Sequence, residues 1–394
     1  MNKTSYNFLP YGKQTITSED INEVTKVLNS AYLTQGPKVA EFESAVSKKL
    51  LVDHAIAVNS ATSALHIACL ALGLQSGDCL WTSPITFVAS ANCGIYCGAS
   101  VDFVDIERSN GLISTEKLRQ KLKIAKKNGT LPKIIVPVHL SGSSCNMEEI
   151  YKLSKEYGFK VIEDASHAIG GTYKGTPVGS CKYSSITIFS FHPVKIITTG
   201  EGGMATTNCP LIAKKMSEYR SHGIVKDKKN FVGKMNPEWK YEQQSLGFNY
   251  RLSDISAALG LSQLSRLDSI VKERNKLYNN YKKLLINMPI RLLSIPKDVL
   301  SSVHLAIIYI EINNKKVQRY LYKSMRDSSI GVQVHYMPVH LQPFYQKLGF
   351  KLGDFPESEL YSNKVLSLPL YPGLTYQDQD RVINTISSLI KKFV

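Results

Sequence analysis

The sequence predicts an α/β protein in which a large domain with a mainly parallel sheet precedes a smaller C-terminal α+β domain. Three observations carry that expectation. Short apolar runs alternate with segments of helical period, the order that βαβ units require. The apolar runs are continuous rather than alternating with polar residues, as in strands covered on both faces. The chain has 394 residues, 43% of them apolar and 20% charged, which suits two or three domains with a sizeable core and excludes a disordered chain.

Residues 54–59 (HAIAVN) read as the first strand, followed by a helix through Leu65, Ala68, Cys69 and Leu72. Further buried strands are expected at 79–82, 100–106, 133–140 and 160–162, with a helix over 147–157. Strands at 185–191 and 203–207 follow, and leucines at helical spacing predict one long helix over 254–281. Beyond it, strand-like runs at 304–312 and 331–336 and an amphipathic segment at 378–393 make up the smaller domain. The expected division is 1–265 for the N-terminal segment and large domain and 266–394 for the small one. The uncharged stretch 79–101 is long enough to span a bilayer, but Thr82, Ser83, Pro84, Thr86, Ser90 and Asn92 make it a buried strand, loop and helix instead. No membrane partner is expected.

Lysine and arginine (48) exceed aspartate and glutamate (32) by 16, which favours anionic ligands. The basic residues are scattered lysines, densest at 226–229, with no arginine-rich tail, so a solvated surface is read rather than a nucleic-acid footprint. The seven cysteines contain no C-x-x-C and several lie in apolar runs, which suits a reduced, cytoplasmic setting, and residues 1–7 lack the apolar core of a secretory signal. No P-loop occurs, Gly200-Glu201-Gly202-Gly203 does not complete G-x-G-x-x-G, and the nine histidines lack zinc spacing. An NTPase, a dinucleotide enzyme and a metal site are not expected.

Three features carry chemistry. In Val161-Ile162-Glu163-Asp164-Ala165-Ser166-His167 an apolar strand ends in a carboxylate, where open α/β sheets place ligands; a helix cap or strand-edge acid is the plainer reading. Lys195 follows the next apolar strand in Ser190-Phe191-His192-Pro193-Val194-Lys195. An amine for a Schiff base and an acid for a pyridinium nitrogen are the pair that pyridoxal phosphate needs. Asn59-Ser60-Ala61-Thr62-Ser63 sets hydroxyls between a strand and a helix, an anion site suited to a phosphate, or an ordinary N-cap by Ser60 or Thr62.

Those motifs, with Glu201-Gly202-Gly203 and Leu246-Gly247-Phe248-Asn249-Tyr250-Arg251-Leu252-Ser253-Asp254, closely resemble the nucleotide-sugar aminotransferases of the DegT/DnrJ/EryC1/StrS family, from about residue 10 to 374. Within it, Tyr11-Gly12-Lys13-Gln14 and Tyr32-Leu33-Thr34-Gln35-Gly36-Pro37 look most like the members of pseudaminic acid biosynthesis. The resemblance implies the type I fold of pyridoxal-phosphate-dependent aminotransferases and a homodimer with shared sites. It also implies pyridoxal 5'-phosphate as cofactor, passing through its pyridoxamine form, and transfer of the amino group of L-glutamate to a UDP-4-keto sugar.

By motif, Lys195 matches the Schiff-base lysine and Asp164 the partner of the pyridinium nitrogen. Thr62, Ser63 and Ser190 match phosphate ligands, Phe87 the ring stacked on the cofactor, and Asn249 a phosphate contact from the neighbouring subunit. His167 stands where many members have glutamine near the cofactor's phenolic oxygen, and Ala61 replaces a common glycine. For the sugar nucleotide the expected contacts are Gln35, Arg251, His335 and Tyr336, with His340 and His192 either structural or in the site. Family members that dehydrate the sugar carry histidine at the lysine position, which Lys195 argues against. A different UDP- or dTDP-keto sugar, or a non-catalytic sensor on this fold, are the competing readings.

Overall fold

Seven strands form the central sheet of the computed structural model, which describes residues 7–233 and 237–393. They are β1 (His54–Val58), β2 (Cys79–Thr82), β3 (Ser100–Phe103), β4 (Ile134–Val136), β5 (Lys160–Asp164), β6 (Ile186–Ser190) and β7 (Gly203–Thr207), in the order β1-β7-β6-β5-β4-β2-β3. The pairs β6/β5, β5/β4, β4/β2 and β2/β3 are parallel. Strand β7 runs against both β1 and β6, so the sheet is mainly parallel with one reversed strand inside it.

The continuous apolar runs are explained by burial on both faces. Ile134, Val136, Ile162, Ile186 and Ile188 pack on one side with the helices Ala61–Ala71 and Ala89–Tyr96. Trp81, Ile135 and Val161 face the other side, against the helices Thr115–Asn128 and Met147–Tyr157. The stretch that resembled a membrane span is thus β2, a loop, a helix and the start of β3, and among the described residues no helix is long and apolar enough to cross a membrane. The seven cysteines are free thiols.

C-terminal to this, Ile290–Leu292, Ala306–Ile310 and Val365–Leu368 form an antiparallel sheet, covered by the helices Val317–Asp327 and Tyr376–Ile390. Four elements differ from expectation. The strand expected over 133–140 is regular only to Val136, where Pro137 has no N–H to donate, and resumes as a single parallel bridge from Val138 to Asp164. The run 100–106 leaves the sheet after Phe103 and bridges Ile113 from Ile106. The long helix is two, Asp254–Ser265 and Leu267–Leu284, broken at Arg266, whose guanidinium reaches the fully buried Asp20 at 2.6 Å. The run 331–336 pairs only at Gln333, with Ser367, before turning to line a cavity.

Both sheet edges are covered. Along β1, Val58 bridges Arg251, and the Asn59 amide donates to Tyr250 O at 2.8 Å. Along β3, the Lys121 ammonium pairs with Asp102 and donates to Phe103 O at 2.6 Å. Where β7 begins, Gly203 lies so close to the start of the Ala61–Ala71 helix that a Cβ would stand 2.5 Å from the Ala61 nitrogen. Gly203→Ala is therefore expected to cost about 1–3 kcal/mol by overpacking against backbone. A lowered thermal midpoint relative to Gly12→Ala, whose Cβ would meet only Val194 at 3.8 Å, would register it. Equal midpoints for the two variants would contradict the assignment.

Candidate active site

A cavity of about 630 Å³ opens at the carboxyl ends of the parallel strands, where Ser60 follows β1, Thr86 and Phe87 follow β2, Asp164 ends β5 and Ser190 ends β6. Its far wall comes from His304 and from 333–337 of the C-terminal part.

Asp164 is held by backbone and side chain. Its N–H donates to Pro137 O at 2.9 Å and its carbonyl accepts from His139 N at 3.0 Å, continuing the ladder past the proline. The Ser90 hydroxyl donates to Oδ2 at 2.6 Å, and the Ser166 amide to Oδ1 at 3.1 Å. Because the proton of Ser90 is given to the carboxylate, the Thr86 hydroxyl 2.7 Å away is the donor to Ser90. The neighbouring Glu163 points to the opposite face. Burial opposes its charge, yet bonds from His139 (2.7 Å), Ser184 (2.5 Å) and Thr187 (3.1 Å) keep its carboxyl below the usual carboxylate range.

Lys195 sits in the 191–202 connection of the β6/β7 hairpin. That loop is closed by Phe191 N to Gly202 O (2.9 Å), Thr199 N to Phe191 O (3.0 Å) and the Thr198 hydroxyl to Phe191 O (2.9 Å). Desolvation pushes the amine of Lys195 down to about 8, with the charge of Asp164 opposing the shift. Around it the imidazoles are neutral: burial, then Lys195, holds His335 down to about 3 and drives His167 well below its ordinary range. Burial and His167 do the same to His304.

The cavity thus brings together Lys195, Asp164, His167, Thr62, Ser190, Phe87, His335 and Tyr336, and also admits His192. Phe87 is 60% exposed, its ring free to cover a planar group. Four expected residues stand outside. Ser63 is the third residue of the helix that Ser60 caps, and its hydroxyl donates to Asn59 Oδ1 at 2.6 Å, turned from the cavity. Gln35, at φ 55°, and Asn249 are exposed, and Arg251 lies on the edge of β1. His340 is fully buried against Glu359 and does not line the cavity. Residues not anticipated include Tyr11, Thr86, Ser90, Ser166, His304 and Gln342. The i, i+4 hydroxyls at 86 and 90 in an otherwise apolar run were the available signal for two of them.

The donor set fits pyridoxal phosphate. A buried-side amine with depressed basicity and a carboxylate lie at one cavity, beside a helix N-terminus bearing Ser60 and Thr62 for a phosphate. The Nδ1 atom of His304, in the 4% exposed wall, has no partner among the described residues. That orphaned atom marks a wall built to meet a polar ligand.

The sequence profile of the DegT/DnrJ/EryC1/StrS aminotransferase family matches residues 14–387. The chain is 39% identical over 389 residues to a Campylobacter jejuni protein named UDP-4-amino-4,6-dideoxy-N-acetyl-beta-L-altrosamine transaminase, covering 98% of each. It is 38% identical, with the same coverage, to the spore coat polysaccharide biosynthesis protein SpsC of Bacillus subtilis. Among solved structures, Helicobacter pylori PseC, an aminotransferase involved in the biosynthesis of pseudoaminic acid, superposes with TM-score 0.90 at 31% identity, over 98% of this chain and all of that one.

The effect of the Asp164 charge on Lys195 has a measurable sign. In protein freed of cofactor, labelling of Lys195 by an amine-reactive reagent, followed by peptide mass analysis across pH, is expected to titrate with a midpoint of about 8. Asp164→Asn should move that midpoint lower, because the carboxylate opposes the burial that depresses it. A midpoint in the ordinary lysine range, or an upward move in the variant, would show that the two groups do not share the environment described.

Proposed function

The chain belongs to the DegT/DnrJ/EryC1/StrS family and is a pyridoxal-phosphate-dependent sugar aminotransferase, and from that premise we propose that it aminates C4 of UDP-2-acetamido-2,6-dideoxy-β-L-arabino-hex-4-ulose with L-glutamate as donor. The products are UDP-4-amino-4,6-dideoxy-N-acetyl-β-L-altrosamine, a precursor of pseudaminic acid, and 2-oxoglutarate. The observation that carries the reading is the meeting of Lys195 and Asp164 at the strand ends, in a cavity whose far wall is supplied by the C-terminal part. Full-length identity to the Campylobacter transaminase supports the choice of sugar. The similarly close Bacillus relative favours a second reading, in which the same residues act on another UDP- or dTDP-keto sugar.

When bound, pyridoxal phosphate supplies a carbonyl that carries the amino group between substrates and a protonated ring that withdraws electrons from the carbon losing its proton. Lys195 is the residue that would hold it covalently. Asp164, its two oxygens oriented by Ser90 and Ser166, would pair with the ring nitrogen. Thr62, Ser190 and the amides of the Ala61–Ala71 helix would hold the phosphate, and Phe87 would cover the ring. Lys195 Nζ, as the free amine, takes the proton from Cα of glutamate and in the second half-reaction delivers a proton to C4 of the sugar. Its lowered basicity suits both directions near neutral pH. His335, Tyr336 and Gln342 line the side open to the sugar nucleotide.

The enzyme works as a cytoplasmic homodimer in this proposal. Asn249, Arg251 and Gln35, which lie outside the cavity of their own chain, serve the site of the neighbouring subunit, Asn249 at the cofactor phosphate and the others at the UDP moiety. The large domain of residues 1–265 carries the cofactor and 266–394 closes over the sugar.

Lys195→Ala should abolish transamination while retaining the fold and noncovalent cofactor binding, and Asp164→Asn should lower turnover by about 100-fold or more with the cofactor still attached. Product analysis by NMR with the UDP-4-keto sugar decides the specificity: normal turnover by Lys195→Ala would sink the mechanism, and amination only of a different keto sugar would replace the substrate. Shared sites make a further demand. Mixing the inactive Lys195→Ala and Asn249→Ala chains under exchange conditions should restore a fraction of the activity, because one intact site forms per mixed dimer. No recovery in verified mixed dimers would place Asn249 outside the partner's site.

A further inference from the structure

Three buried imidazoles meet at the far wall of the cavity, and the hydrogens on one of them are fixed by its neighbours. The amide of Ser141 points at His167 Nδ1 at 3.3 Å, and His167 Nε2 lies 3.3 Å from the Tyr336 hydroxyl. An amide nitrogen only donates, so Nδ1 must be the unprotonated, accepting nitrogen. A neutral imidazole then carries its hydrogen on Nε2, and that hydrogen points at the phenol oxygen. The opposite tautomer or an imidazolium would set N–H against N–H at Ser141.

Ser141 cannot turn away to relieve such a clash. Its backbone is left-handed, at φ 61° and ψ 5°, its carbonyl accepts from His304 N at 2.8 Å, and its hydroxyl donates to Leu305 O at 2.5 Å. His167 is held as firmly. Its carbonyl accepts from the Ser302 hydroxyl at 2.8 Å, and its ring centroid lies 4.4 Å from that of His304. Tyr336 stacks on it at 22°.

We propose that His167 is a positioning residue for Tyr336: locked as the Nε2–H tautomer by Ser141, it donates to the phenol oxygen and so turns the phenol hydrogen into the cavity, as a donor to an oxygen of the bound cofactor or substrate. Both ring nitrogens of His167 are then engaged within the protein, which leaves neither for the contact expected with the cofactor's phenolic oxygen. Burial, with the charge of Asp164 adding to it, raises the phenol well above its ordinary range and keeps that hydrogen in place. The catalytic part of this inference rests on the aminotransferase reading; the tautomer does not.

The test therefore starts without turnover. In the full-length, histidine-15N-labelled protein free of cofactor, the two-bond 1H–15N correlation assigned to His167 by its loss in His167→Gln should show the Nε2–H pattern and keep it as pH is lowered. An Nδ1–H or imidazolium pattern would overturn the proposal whatever the enzyme aminates. In the holoenzyme, His167→Phe and Tyr336→Phe should each lower kcat about tenfold, the size of one lost hydrogen bond. The double variant should be no worse than Tyr336→Phe alone, and His167→Gln, which can still accept from Ser141 and donate to Tyr336, should recover part of the loss. Additive losses would overturn the coupling. If the acceptor is an oxygen of the cofactor, Tyr336→Phe shifts the visible absorption before any sugar is added. If it is an oxygen of the sugar, the spectrum stays and only the half-reaction with the keto sugar slows.

Discussion

A carboxylate at the end of a buried strand is costly unless donors meet it, and the region around β5 is organised by that constraint. Glu163 and Asp164 leave the strand on opposite faces, and each face answers separately. On one, His139, Ser184 and Thr187 satisfy Glu163. On the other, Ser90 and Ser166 satisfy Asp164, with Thr86 behind Ser90. Once both are satisfied, the strand end has little freedom, and the aim of Asp164 into the cavity is set before any ligand arrives. Preorganisation of this kind is what lets a fixed charge act on a reacting group without reorganising during the reaction.

The reversed strand β7 solves a second problem. A parallel crossover after β6 would have needed a dozen or more residues and a helix, carrying the chain away from the site. A hairpin spends a connection of similar length at the strand ends instead, and its 191–202 loop holds Lys195 at the same cavity as Asp164. The close approach of Gly203 to Ser60 and Ala61 then brings the start of the Ala61–Ala71 helix to that loop. Amine, acid and helix start are thereby assembled from the ends of β1, β5 and β6.

Much of this was legible in the sequence where a local pattern had one physical meaning. The continuous apolar runs specified a sheet buried on both faces, and Asp164, Lys195 and Thr62 announced themselves by residue type at strand ends. The reversal of β7 was not legible, because a fully buried strand reads the same in either direction. Pro137 would have shortened the expected strand had its missing N–H been weighed. Ser90 and His304 act through partners 74 and 137 positions away, Asp164 and His167, and no periodicity records such pairings. The break at Arg266 likewise depends on Asp20, remote in sequence. Ser63 fell outside the cavity because its amide serves the Ser60 cap and its hydroxyl is spent on the Asn59 side chain.

The covering of both sheet edges bears on how the chain meets its own copies. An open strand presents unpaired amides and carbonyls that any other strand can extend, and fibrillar growth begins from such templates. Here Arg251 bridges the last residue of β1 and Tyr250 takes the amide that follows it, and a lysine ammonium claims a carbonyl on the margin of β3. These contacts oppose extension of the backbone ladder at those margins, which favours assembly through side-chain shape and charge. An interface of that kind has a finite size and a defined symmetry, whereas a ladder has neither.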